Sequence, residues 1–176
     1  IGLDILKNGG NAIDAAIGVS FALAVVHPGA GNIGGGGFMV VRTSDGKVTT
    51  IDFREKAPSG ASKDMFLDDS LNVIPGKSWS TSLASGVPGS VAGMWMAHER
   101  FGSKPWYDII RPSIHLAQYG FELDPLNCSY LNSNYYKSFL SKDSETKEIF
   151  TKAEDFKIGE IFFQHDLANT LRRIAF

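Results

Sequence analysis

Four consecutive glycines at residues 34–37 are the feature that most constrains how this chain can fold. They lie within the run GNIGGGGFMV of residues 31–40, and a second run, IDFREKAP, follows at residues 51–58. Glycine has no side chain to fill a core, so it is useful where one backbone must approach another backbone or a ligand closely. The second run supplies one arginine, Arg54, between apolar and acidic neighbours. Together the two runs predict a tight backbone wall beside a fixed cation, which suits the binding of a small anionic molecule.

The composition is that of an ordinary globular protein, and it argues against several classes of function. The chain has 176 residues, 43% of them hydrophobic, and a net charge of -2, so one domain with a real core is expected. No basic stripe or lysine-rich block is present, and nucleic acid is therefore not an expected partner. Cys128 is alone, so the chain can form neither an internal disulfide nor a cysteine-based metal cluster.

Two helices are predicted near the start of the chain. Residues 3–7 have helical apolar spacing, which an Asn-Gly-Gly sequence then breaks. Asn11 can cap a second helix, with Asp14 favourably placed in its first turn. That helix is apolar nearly all round as far as Val25, which is typical of a buried core helix. A membrane span is the alternative, although the apolar run is shorter than the ~20 residues that a span requires. A His-Pro-Gly sequence at residues 27–29 ends the helix.

The glycine run is predicted to open a β-hairpin. Residues 33–42 have the pattern of a buried strand, residues 44–47 form a turn signal, and residues 48–53 form a second strand. Loops are expected over residues 56–69 and over residues 71–82, the latter exposed because they are polar and rich in turn residues.

Further helices are predicted in the second half of the chain. A rigid Gly-Val-Pro-Gly turn leads into a helix over residues 90–100, which Gly102 ends. Another helix over residues 106–118 ends at Gly120, and Pro112 either kinks it or marks its true start. Polar helix and loop follow, up to a last apolar helical spacing at Leu167, Leu171 and Ile174.

Several familiar motifs are matched only in part. Residues 29–34 fit the G-x-G-x-x-G dinucleotide pattern, but that pattern requires a strand before it and a helix after it, the reverse of the order predicted here. The four histidines are scattered without metal-ligand spacing, so no metal site is expected. Ser90 lies one position early for a nucleophile elbow, which favours a helix cap. Asn127 begins an Asn-Cys-Ser glycosylation sequon, a short pattern that often arises by chance.

Arg54 is the candidate ligand-binding residue. An arginine at a strand end is usually a salt-bridged surface residue, and the residues alone leave that interpretation open. Asp52 and Glu55 could orient the guanidinium, and Phe53 could fix the strand in the core. A guanidinium held in this way offers a bidentate fork to a carboxylate, and such charged hydrogen bonds are worth about 1.5–3 kcal/mol.

Five segments, in order, resemble the large subunit of the γ-glutamyltranspeptidases, most closely that of the bacterial members. They read NGGNAIDAA at residues 8–16, GNIGGGGFM at 31–39, IDFREKAP at 51–58, DMFLDD at 64–69 and SGVPGSVAG at 85–93. Their order and spacing make the resemblance specific, and it continues more weakly to the C-terminus.

The resemblance implies an N-terminal-nucleophile hydrolase fold, an α+β four-layer αββα sandwich. Residues 1–176 would form the N-terminal part of its large-subunit domain, with no separate second domain. The family makes a precursor that cuts itself, and a threonine at the new N-terminus of the small subunit becomes the nucleophile, with its own α-amino group as base. No cofactor is implied. The enzyme takes the γ-glutamyl group of glutathione and related amides and passes it to water or to an amino-acid or peptide acceptor.

By the same resemblance, Arg54 corresponds to the arginine that binds the α-carboxylate of the γ-glutamyl group. We infer from their positions that Asp52 and Glu55 support it. The glycine run is interpreted as close packing of the sheet near the cleft, with direct ligand contact as the alternative. The resemblance further implies a periplasmic or secreted location.

No catalytic residue is expected within this chain, because the nucleophilic threonine would belong to the small subunit. The absence of an initiator Met and the helical character of the last residues suggest a fragment, which we expect to be inactive alone and to leave an open sheet edge. Two alternatives stay open: an acylase of poly-γ-glutamate or of a glutaryl-β-lactam, and a non-catalytic module that binds anions.

Overall fold

The computed structural model describes residues 1–176, and most of its helices belong to a first unit formed by residues 1–32 and 97–176. Residues 33–96 form a second unit. The helices are α1 (Gly2–Lys7), α2 (Ala12–Val26), α3 (Ser90–Phe101), α4 (Trp106–Tyr119), α5 (Pro125–Asn132), α6 (Asn134–Leu140), α7 (Ser144–Phe150) and α8 (His165–Ala175). The strands are β1 (Phe38–Arg42), β2 (Val48–Asp52), β3 (Phe121–Glu122) and β4 (Ile161–Phe162). A short 3₁₀ helix spans Ser82–Ala84.

Helix α2 is the centre of the first unit. It packs against α1 and α4, and α4 in turn packs against α8. The side chains of Ile17, Phe21 and Val25 are fully buried, and the Phe21 ring meets the ring of Trp106 edge to face at 5.6 Å between centroids. The expectation of a buried core helix is therefore confirmed. No helix of the chain combines the length and the apolar character that a membrane crossing needs.

Side chains bind free backbone groups at both ends of α2. At the start, Asn11 accepts hydrogen bonds from the N–H groups of Ile13 and Asp14, and the Asp14 carboxylate accepts from the Asn11 N–H, which completes a capping box. At the other end, the Gln164 side chain donates to the Val25 carbonyl at 2.8 Å. The Asn127 side chain donates to the Val26 carbonyl at 3.0 Å. The predicted cap by Asn11 is confirmed. The sequence does not predict the contacts that Gln164 and Asn127 make with the other end of the helix.

Helix α4 resolves the question left open about Pro112. The helix begins at Trp106 and continues through Pro112, so the proline lies inside it. Gly120 ends the helix with a φ of 83°, a left-handed conformation that glycine adopts without steric cost. Strands β3 and β4, which the sequence did not predict, follow Gly120 and pair antiparallel over two residues each.

A small second core surrounds the β3–β4 pair. Its buried members are Leu123, Cys128, Leu131, Phe156 and Phe162. Burial is the main cause that raises the pKa of the Cys128 thiol above its ordinary value, and the nearby carboxylates of Glu160 and Asp124 add to it. The lone cysteine is therefore a core residue held in its neutral form.

The hairpin of the second unit pairs β1 with β2 antiparallel, with Phe38 opposite Asp52. The first strand starts at Phe38, not at residue 33, because the glycines before it are outside the regular ladder. The prediction of a buried strand was wrong: Phe38 is 65% and Val40 71% exposed. Alternate side chains of a strand point to opposite faces, and only the face that carries Val41 and Ile51 is packed.

Candidate functional site

The glycine run lies against the start of α3, within the second unit. The carbonyl of Gly35 accepts two hydrogen bonds, from the N–H groups of Gly89 at 2.8 Å and Ser90 at 2.9 Å. A Cβ at Gly36 would lie 2.6 Å from the carbonyl oxygen of Phe53, closer than real Cβ atoms approach. The absence of side chains is what allows these backbones to approach. This geometry agrees with the interpretation of the run as close packing.

The structure supports no functional role for the dinucleotide pattern, for Ser90 as a nucleophile or for the glycosylation sequon. Residues 29–34 follow α2 and precede β1, so the helix and the strand are in the wrong order for a dinucleotide site. Ser90 is the first residue of α3, not the residue before it, so the prediction that it caps the helix needs correction. Asn127 is buried and its side chain is bound to the Val26 carbonyl, so the sequon is not displayed on the surface.

Arg54 follows directly after β2, and its side chain is 64% exposed. Its Nε lies 3.2 Å from Oε2 of Glu55, in an ion pair. Its guanidinium carbon lies 5.8 Å from the centre of the Phe38 ring, within the range of a cation–π contact. Glu55 is the ion-pair partner of the guanidinium within the chain. The guanidinium is thus oriented through Nε and by the ring, and its two-pronged end remains available to a carboxylate.

Asp52 holds the backbone of Arg54, not its guanidinium. Oδ1 of Asp52 accepts a hydrogen bond from the Arg54 N–H at 3.0 Å. Beyond Arg54, Lys56 and Val87 exchange two backbone hydrogen bonds, of 3.1 Å and 2.8 Å. The expectation that both carboxylates orient the guanidinium is therefore corrected: Glu55 pairs with the guanidinium, whereas Asp52 binds the backbone N–H.

Asp14 is the buried charge whose importance the sequence did not reveal. Its side chain is fully buried, and it accepts hydrogen bonds from the Asn11 N–H at 2.9 Å, the Ser103 N–H at 3.0 Å, the Ser103 hydroxyl at 2.5 Å and the Lys104 N–H at 3.4 Å. Burial raises the pKa of Asp14, but these hydrogen bonds together outweigh burial and set the pKa below its ordinary value of 3.8. Ser103 is 89 residues away in sequence, so no local pattern could have indicated the contact.

A surface cavity between α6 and α7 is another place where charged side chains gather, and Lys137 and Lys152 are among the residues that line it. Lys137 is 2.6 Å from Asp155, and Lys152 is 2.5 Å from Glu160. The hydrogen bond from Lys152 is the main cause that lowers the pKa of Glu160. These two lysines are paired with carboxylates of the chain. No group of three or more His, Cys, Asp or Glu side chains is arranged to hold a metal ion.

Comparison with known proteins gives one consistent result. The family described as Gamma-glutamyltranspeptidase matches the chain over residues 1–176. The chain is 48% identical over 176 residues to a glutathione hydrolase proenzyme of Pseudomonas sp. (strain A14), and 46% identical over 176 residues to one of Escherichia coli (strain K12). Each match covers 99% of this chain and 30% of the relative, so the chain spans about a third of their length.

A solved structure supports the same conclusion about the fold. The chain superposes on the γ-glutamyltranspeptidase of Helicobacter pylori with a TM-score of 0.93 and 45% identity, over 99% of this chain and 50% of that one. The expected α+β fold of the N-terminal-nucleophile hydrolases is thus confirmed. Within that fold this chain contributes helices and two two-stranded sheets.

Proposed function

This chain belongs to the γ-glutamyltranspeptidase family, and from that premise we propose that it is part of a γ-glutamyltransferase and glutathione hydrolase. The proposed reaction moves the γ-glutamyl group of glutathione, or of a related amide, to water or to an amino-acid or peptide acceptor. The observation that carries the proposal is the Arg54 guanidinium, which pairs with Glu55 through Nε, lies near the Phe38 ring and belongs to a side chain that is 64% exposed. Residues 1–176 would belong to one large-subunit domain, in a periplasmic or secreted enzyme.

In this proposal Arg54 binds the α-carboxylate of the γ-glutamyl group. Glu55 holds Nε at 3.2 Å, so the two Nη atoms can donate parallel hydrogen bonds to the two carboxylate oxygens. Asp52 fixes the backbone N–H of the same residue at 3.0 Å. A carboxylate held at one end of the substrate places the γ-amide, at the other end, at a defined distance from the reacting group.

The bond-breaking step would use the small subunit of the same precursor. The hydroxyl of its N-terminal threonine attacks the γ-carbonyl carbon, and the α-amino group takes the proton. The amide nitrogen leaves as an amine once it is protonated, and an ester of threonine remains. Water or an acceptor amine then attacks the ester and restores the hydroxyl. The contribution of this chain is therefore binding and orientation.

The replacement Arg54→Lys in the full-length enzyme tests the proposal. Lysine keeps the positive charge but loses the two-pronged geometry. Loss of one charged hydrogen bond predicts a rise in KM for γ-glutamyl donors of about ten- to hundredfold. Self-cleavage of the precursor should continue, because Arg54 is exposed and outside the core. Steady-state kinetics with a γ-glutamyl anilide, together with gel analysis of the two subunits, would measure both effects.

Arg42→Lys is the matched control. Arg42 is the last residue of β1 on the same hairpin and is also exposed, so the same chemical change there should leave KM unaltered. An unchanged KM in Arg54→Lys would remove Arg54 from the donor site. An equal rise of KM in both variants would mean that the effect comes from a disturbance of the hairpin and not from loss of a contact to the donor.

A further inference from the structure

Phe53, the residue before Arg54, sits in a space that glycines leave open. A Cβ at Gly93, in the first turn of α3, would overlap Cγ of Phe53 and lie 2.5 Å from its Cβ and Cδ1. On another side, a Cβ at Gly37 would lie 3.1 Å from Cε2 of the same ring. The ring therefore rests directly on two backbones, and any side chain at Gly93 would have to displace it.

The backbone of Phe53 is held as tightly as its ring. Phe53 and Gly37 exchange two backbone hydrogen bonds, of 3.0 Å and 3.4 Å, which extend the ladder of β1 and β2 by one pair. A Cβ at Gly36 would lie 2.6 Å from the Phe53 carbonyl oxygen, and a Cβ at Gly89 would overlap that oxygen. Phe53 is thus fixed on three sides by main chain, which cannot move as a flexible side chain can.

This fixation determines where Arg54 points. Consecutive side chains of an extended segment project to opposite faces. Ile51 is buried and Phe53 is half-buried, whereas Asp52 and Arg54 are exposed. A rotation of the backbone that lifted the Phe53 ring would swing Arg54 away from Glu55 and Phe38 at the same time.

We propose that Phe53, seated on Gly93, is a positioning residue for Arg54, and that this glycine contact sets the recognition of the substrate α-carboxylate. The inference rests on the proposed function, because it assigns Arg54 to the donor carboxylate. It goes beyond that function by naming residues that act through Arg54 without contacting substrate. A purely structural role for the Phe53–Gly93 contact would lower activity on all substrates alike.

Two anilide substrates separate these roles in the full-length enzyme. One carries a γ-glutamyl group, and the other a γ-aminobutyryl group, which keeps the amine but lacks the α-carboxylate. Gly93→Ala should lower kcat/KM for the γ-glutamyl anilide about tenfold or more, mainly through KM, since a displacement of about 1 Å can cost as much as a hundredfold. The kcat/KM for the γ-aminobutyryl anilide should stay within about twofold of wild type.

Gly60→Ala is the matched control, because a Cβ at Gly60 meets nothing within 4 Å. It should leave both substrates unaffected. If Gly93→Ala is unable to fold, a failure of self-cleavage will reveal it. In that case Phe53→Leu tests the positioning role instead. Leucine keeps the apolar contact but leaves part of the ring space empty, so the same selective loss on the γ-glutamyl anilide is expected. Equal losses on both anilides, in whichever variant folds, would overturn the inference.

Arg54→Lys measured beside these variants tells the two proposals apart. If Arg54→Lys lowers activity on the γ-glutamyl anilide and the Phe53 and Gly93 variants do not, the positioning role fails while the proposed function stands. If Arg54→Lys has no selective effect, the proposed role of Arg54 fails and the positioning role with it.

Discussion

The variant Asp14→Ala of the full-length protein is expected to lose at least about 3 kcal/mol of folding stability and, on the proposed function, to accumulate as uncleaved precursor. Alanine would leave the Ser103 N–H and hydroxyl and the Asn11 N–H, which now donate to a fully buried carboxylate, without an acceptor. Each buried donor left unpaired costs about 1–3 kcal/mol. The loss would also open the capping box of α2, the central helix of the first unit.

Thermal unfolding and the extent of self-cleavage would measure this effect. Asp4→Ala is the control, since Asp4 lies in the first turn of α1 and its carboxylate is exposed. It should change the unfolding temperature by little, because exposed charges contribute little to stability. A wild-type unfolding temperature for Asp14→Ala would show that Ser103 and Asn11 find other acceptors, and the assigned clamp would then be wrong.

The same carboxylate gives the stability a defined dependence on pH. Hydrogen bonds hold the folded pKa of Asp14 below the ordinary value of 3.8. The stabilisation is therefore fully present above about pH 4, and is lost as the pH falls through the folded pKa. Asp14→Asn, which cannot ionise, should remove this part of the acid dependence. Unfolding midpoints of both proteins at a series of acid pH values provide the comparison.

The second large effect is expected from Gly31→Ala, which should destabilise the enzyme by about 3 kcal/mol. A Cβ at Gly31 would overlap the carbonyl group of Leu23 and lie 2.9 Å from the Ala24 nitrogen. Both atoms belong to the backbone of α2, so no rotamer change can relieve the overlap. The Gly31 N–H also donates to the His27 carbonyl at 2.7 Å, so the loop cannot withdraw without breaking that bond.

Gly34→Ala, three residues further along, is the control for this prediction. A Cβ at Gly34 meets nothing within 4 Å. Where the backbone conformation suits alanine, this replacement stabilises a protein by about 0.4–1 kcal/mol, through the unfolded state. Chemical denaturation of the two variants should therefore give changes of opposite sign. Similar stabilities for both would mean that the loop at Gly31 is free to move away from α2.

Local signals predicted the ends of helices α2 and α4. The sequence predicts Asn11 as a cap, and the contact is local: its side chain accepts hydrogen bonds from N–H groups two and three residues away. Gly120 was recognised as a helix end because its left-handed backbone favours glycine. Such contacts depend on a few neighbouring residues, so the sequence displays them directly.

Contacts between distant segments could not be predicted from the sequence. The Asp14–Ser103 contact, the β3–β4 pair and the open face of β1 all depend on which segments meet in space. Two-residue strands carry no readable alternation, and an apolar run such as that of β1 does not reveal which of its faces is packed. For the candidate site, position pointed to Asp52 and Glu55, but only the geometry distinguished the acceptor for the backbone from the partner of the guanidinium.

The hydrogen bond that Gln164 makes to the end of α2 has a consequence for the synthesis of the protein. Val25 receives its hydrogen bond from Gln164, 139 residues later in the chain. At about 5–20 residues per second, the ribosome needs roughly seven to thirty seconds to supply that partner. For the first part of that interval α2 also lacks α4, the helix against which it packs. The order of synthesis thus leaves this helix open to premature association, which is the hazard that chaperones counter in nascent chains.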